Sequence, residues 1–101
     1  MTTLQVYEIL AVIYKNFGNP LSVDDIMRLM KGVSKRQLSR ALKMLSCAKY
    51  IEGVLFCETL SSGDTEVIGE NIEITLKGIE FIEVKLPKKT RKKLGIIGCF
   101  D

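Results

Sequence analysis

Lys35, Arg36, Arg40, Lys43 and Lys49 fall within GVSKRQLSRALKMLSCAKYIEGV, residues 32–54, which holds no carboxylate before Glu52. Clustered cations of this kind suit phosphate, and the arginine fork can also bond the O6 and N7 edge of guanine with two donors at once. Seven basic residues (Arg28, Lys31, Lys35, Arg36, Arg40, Lys43, Lys49) run without an acidic one, although the net charge of the chain is only +3. From Glu52 through Glu83 the balance inverts: Glu52, Glu58, Asp64, Glu66, Glu70, Glu73, Glu80 and Glu83 stand against Lys77 alone. KLPKKTRKK is basic again, with Lys88, Lys89, Arg91, Lys92 and Lys93 as candidates for non-specific phosphate contact. Such blocks predict separate charged surfaces rather than a uniform coat.

Other chemistries find little support. The chain has no histidine, so a serine or cysteine nucleophile lacks its commonest base, and no phosphate-cradle, triad or metal-ligand pattern occurs. No enzyme activity, metal or cofactor is expected. Cys47, Cys57 and Cys99 are odd in number and widely spaced, which argues against a disulfide framework and leaves passive thiols. Asp24 and Asp25 could suggest an acid pair, but a place in the first turn of a helix accounts for them. Tyr7 and Tyr14, seven residues apart, fit a core or a dimer seam.

The elements that must carry the cations follow from periodicity and punctuation. Thr3 through Phe17 places Val6, Tyr7, Leu10, Ile13, Tyr14 and Phe17 at helical spacing, with Gly18 as a stop. Ser22 caps a second helix whose Ile26, Leu29 and Met30 are expected inward, and Gly32 ends it. Ser34 and Gln37 form a capping box for a third helix, with Val33 placed to staple against Leu38. At about 100° per residue, Leu38, Ala41, Leu42, Leu45 and Ala48 share one face, and Arg36, Ser39, Arg40, Lys43 and Cys47 cluster opposite. YIEGVLFCETL and EVIGENIEI read as the two strands of a hairpin around SSGDT. Thr75 then opens a short helix with Leu76, Ile79, Ile82 and Leu86 inward, Gly78 marks close packing, and Pro87 ends it.

One hundred and one residues with 47% hydrophobic content suit a single core. The N-terminal stretch has no basic leader, and Gln5, Glu8 and Lys15 interrupt its apolar residues, so a cytoplasmic, non-membrane location is expected. The order of elements gives an α+β winged helix-turn-helix: three helices, a β-hairpin wing and a further C-terminal helix. VSKRQLSRALKMLSCAKYIEGV followed by IEITLKGIEFIE resembles the YjcQ-like winged-helix proteins of Gram-positive bacteria and their phages, over roughly residues 4–86. That resemblance implies a regulator of mobile-element origin.

The resulting expectation is a winged-helix domain over 1–86 with a basic and apolar extension over 87–101. It would bind double-stranded DNA as a transcriptional regulator, with helix 34–48 in the major groove. Arg36 and Arg40 would contact bases or phosphates, supported by Lys35, Ser39 and Lys43. The wing carries Asp64, Glu66 and Glu70 and no cation, so it is expected to stay off phosphate. A protein-interaction module on the same fold is the alternative. A homodimer is expected through Tyr7, Ile9, Val12, Ile13 and Tyr14 of the first helix together with Leu94, Ile96, Ile97 and Phe100.

Overall fold

The computed structural model describes residues 2–58 and 65–96; the side chains of residues 57, 58 and 65–67 are outside the description. The expectations placed on Asp64, Ile97, Cys99 and Phe100, and on the side chains of Cys57 and Glu66, therefore lie outside the described residues.

Three helices begin with the same device. In α1 (Thr3–Lys15), α2 (Val23–Leu29) and α3 (Lys35–Cys47), the caps Thr2, Ser22 and Ser34 accept from the N–H three residues on. The side chains of Gln5, Asp25 and Gln37 accept from the cap N–H in return. Each box satisfies two backbone donors that a helix start leaves open.

α1 stops two residues before the expected Phe17, where Asn16 Nδ2 donates to Val12 O at 2.8 Å, and Phe17 is exposed. In α2 the inward stripe is Val23, Ile26 and Met30, while Leu29, expected inward, is 54% exposed. The seven-residue helix ends at Leu29, and on its wheel that residue falls about 90° from the centre of the stripe. In α3, Leu38, Ala41, Leu42 and Leu45 are buried as their period requires, and so is Val33. The helix leaves through a Schellman turn, with Tyr50 N–H on Leu45 O and Lys49 N–H on Ser46 O, both 2.9 Å; Lys49 takes the left-handed position at φ 65°.

The hairpin is jointed. β1 (Ile51–Glu52) pairs antiparallel with β4 (Glu73–Ile74), and β2 (Leu55–Glu58) with β3 (Thr65–Ile68). Two residues separate β1 from β2 and four separate β3 from β4, so the register shifts by two at the joint. Gly53, at φ 87°, lies with its Cα against the carbonyl of Asn71, where a side chain has no room. The extra residues reach back to the helices: Leu21 and Ile72 exchange backbone bonds of 3.1 and 2.8 Å, and Val23 N–H donates to Gly69 O at 3.0 Å. The base of the hairpin is thereby tied to the start of α2.

α4 (Leu76–Glu80) is capped by Thr75 and continues through a wider, π-type turn (Phe81–Lys85) closed by Leu86 N–H on Phe81 O at 2.9 Å. Gly78 packs against the carbonyl of Tyr50 and the side chain of Ile74, the close approach expected of it. Two residues away on a helix is nearly the opposite face, so Leu76, expected inward, is 85% exposed. Ile82 and Leu86 are buried. α5 (Lys88–Lys93) follows, and Leu94 and Ile96 beyond it join the same core as α1, α2 and α3.

The architecture is α+β and compatible with a winged helix: α2 and α3 joined by a short turn, then a hairpin, then α4 and α5. Among the described residues, those expected to form a dimer pack largely within one chain. Ile9, Ile13, Leu94 and Ile96 lie in the core, and Tyr7, Val12 and Tyr14 pack against it. Tyr14 OH donates to Glu83 Oε2 at 2.9 Å, and Lys15 Nζ to Leu94 O at 2.8 Å. Burying Leu94 and Ile96 in the chain's own core needs no partner and no loss of translational freedom.

Candidate nucleic-acid interface

The outward face of α3 is built by subtraction. With the Leu38–Leu45 stripe facing the core, the opposite side carries Arg36, Arg40, Lys43 and Cys47, all exposed. No acidic residue occurs anywhere on the helix, so no carboxylate one turn away can draw these cations into pairs along it. Arg40 and Lys43 make no ion pair among the described residues.

Two of the five expected contact residues sit elsewhere. Ser39 is 8% exposed: its hydroxyl donates to Lys35 O one turn back at 2.9 Å, and β3 runs along α3. A serine on the flank of the outward face can bond the preceding carbonyl and be covered by a neighbouring strand, so it offers nothing to a ligand. Lys35 is exposed, but it lines a cleft with Asp24, Glu70, Ile68 and the start of α2, so two carboxylates share its surroundings. Arg36, Arg40 and Lys43 are exposed cations outside the lining of that cleft.

The second basic block divides as well. Lys88, Lys89, Lys92 and Lys93 of α5 are exposed. Arg91 is half-buried, and its Nη1 donates to Glu83 O at 2.9 Å, which fastens α5 to the preceding helix. As a phosphate contact it is withdrawn by its own chain.

On α2, Arg28 Nη2 meets Asp25 Oδ1 at 2.6 Å. The Asp25 carboxyl is held below its usual value, first by the backbone bond from Ser22, then by the Ser22 hydroxyl and the Arg28 charge; partial burial works in the opposite direction.

The residues missed by patterning lie on the other flank of α3. Met44 is 61% exposed and borders a groove of about 420 Å³ whose walls are Val6 and Tyr7 of α1, Leu45, Ala48 and Tyr50, with Arg40 at the rim. Tyr50 is stacked on Phe81 (centroids 4.7 Å, 22° between planes), and Lys77 Nζ lies 5.7 Å from the Tyr50 centroid. A methionine a quarter turn off the apolar stripe was the available signal, since such a residue belongs neither to the core face nor to a basic one.

Among the described residues no group of His, Cys, Asp and Glu could hold a metal ion, and no helix is long and apolar enough to cross a membrane. A family model described as YjcQ protein matches residues 7–97. Comparisons with curated proteins and with solved structures each found no match.

Proposed function

The chain belongs to the YjcQ family, and from that premise we propose that it binds double-stranded DNA as a transcriptional regulator, laying α3 in the major groove. The observation that carries the reading is the cation set of Arg36, Arg40 and Lys43, exposed together on an amphipathic helix without a carboxylate. Arg36 and Arg40 stand one turn apart, the spacing at which two side chains from one helix reach neighbouring base pairs or a base and its phosphate. Lys43 and the exposed lysines of α5 add sequence-independent attraction. Ser39 has no part in it, and Lys35 a reduced one.

The wing is a passive element in this reading. Glu70 at its base and the acidic residues along it would be repelled by a phosphate backbone, and the tie from Val23 to Gly69 holds that base beside α2. With Ile9 and Ile13 of α1 in the core, a homodimer would assemble on paired half-sites of the duplex.

The test is a titration with genomic and random-sequence DNA at two salt concentrations. One bidentate arginine is worth about 1–3 kcal/mol of discrimination, so Arg36→Ala or Arg40→Ala is expected to weaken specific binding roughly 5- to 150-fold. An unchanged affinity in the double variant sinks the assignment to α3. Absence of any DNA binding at low salt transfers weight to a protein-interaction role. Leu55 and Ile68 favour that second reading: they are opposite one another in β2 and β3, and exposed at 68% and 49%.

A further inference from the structure

The groove beside α3 is the cavity that the DNA reading leaves unused, and its chemistry is specific. Its walls are apolar or aromatic (Val6, Tyr7, Met44, Leu45, Ala48, Tyr50), Thr2 and Thr3 also line it, and among the described residues Arg40 is the one charged side chain there. About 420 Å³ lies within the ~300–1,000 Å³ range of small-molecule sites. One wall is rigid. Tyr50 stacks on Phe81, and Tyr7 meets the same Phe81 ring at 5.5 Å and 57°. The other wall is adaptable, because the exposed Met44 has three rotatable bonds and a polarizable sulfur.

We infer that this groove binds a small amphipathic carboxylic acid, its apolar body between Tyr7, Met44 and Tyr50 and its carboxylate paired with Arg40. Charge complementarity selects the class. Arg40 has no hydrogen bond or ion pair among the described residues, and a guanidinium fork matches the two oxygens of a carboxylate. A neutral apolar molecule would strip water from the guanidinium without replacing it, and a cation would be repelled. A doubly charged phosphate ester would find one cation and an apolar floor.

The consequence for regulation rests on the α3 reading above. A carboxylate seated on Arg40 withdraws that side chain from DNA, so acid and DNA compete. Occupancy of the groove itself does not depend on that reading.

The probes are 4-phenylbutyrate and its uncharged amide, titrated into the full chain while backbone ¹⁵N–¹H shifts are followed. The acid is expected to shift the amides of Val6, Tyr7, Met44, Leu45 and Tyr50, and to bind about tenfold or more tightly than the amide, the order of one charge-assisted pair. Arg40→Gln should bring the two probes to similar, weak affinity. Thr3→Phe, at an exposed position of α1 that fills the groove without altering α3, should weaken both probes. It should leave the DNA affinity of the unliganded chain unchanged and abolish inhibition of DNA binding by the acid.

Equal affinity of the wild-type chain for acid and amide overturns the site. So do shifts centred on the α5 lysines, or none at millimolar probe. If the acid weakens DNA binding equally in Thr3→Phe, the coupling through Arg40 is wrong. If the groove binds the acid while the chain binds no DNA, the α3 reading alone fails.

Discussion

At the residue scale the basic face of α3 is decided by small differences in angle. Arg36, Arg40 and Lys43 are exposed on its outward side, whereas Ser39 is buried on the flank and Lys35 shares a cleft with Asp24 and Glu70. Asp25 shows how one side chain serves a backbone donor and a cation: it accepts from Ser22 N–H at 3.1 Å and from Arg28 at 2.6 Å, while its own N–H donates to Ser22 Oγ at 3.1 Å. Those bonds favour the ionised carboxylate, so its folded value lies below the ordinary 3.8. A depressed carboxylate stabilises the fold above that ordinary value, and the contribution disappears as pH falls through the folded one. Asp25→Asn is therefore expected to be less stable than the wild type at neutral pH. In urea unfolding the gap should narrow below about pH 3.8 and close once the wild-type carboxyl is protonated. A gap that persists undiminished in acid would contradict the account.

At the element scale most of the fold was written in local chemistry. Ser22 with Asp25 and Ser34 with Gln37 fixed two helix starts, Thr75 a third, and the α3 stripe was legible from period alone. What failed was whatever depended on distant partners. Leu76 is exposed because Gly78 is claimed by Tyr50, and the strands are broken because residues 69–72 pair with Leu21 and Val23. Neither partner is near in sequence. The same limit applied to the interface: the cations could be read, but the covering of Ser39, the withdrawal of Arg91 and the groove against α1 required tertiary contacts. One local rule is broken at the end of α3, where Lys49 occupies a left-handed position at φ 65° that glycine takes without strain. Lys49→Gly is expected to raise stability by roughly 0.5–1 kcal/mol, measured by denaturant midpoint at unchanged m-value. A loss of stability would mean that the lysine side chain contributes more than the strain costs.

At the scale of the whole molecule, Leu94 and Ile96 extend the core past α5. Since α1 and the segment through Ile96 cover each other, the free protein is expected to sediment near its monomer mass of 11.3 kDa at micromolar concentration. A stable dimer without DNA would require an interface outside α1 and Leu94–Ile96. The seam between α3 and α4 has a further consequence. Thr75 Oγ1 donates to Lys49 O at 2.6 Å, Thr75 N–H donates to Tyr50 O at 2.9 Å, and Gly78 rests on that same carbonyl. Three contacts within two residues weld the start of α4 to the exit of α3, so neither end can open while the other stays closed. In native-state hydrogen exchange the amides of Tyr50, Thr75 and Ile79 should then report the same opening free energy as those in the middle of α3, as one cooperative unit. The helix proposed to meet DNA would not fray independently at its C-terminal end, and its orientation would be set by a segment almost thirty residues further along the chain.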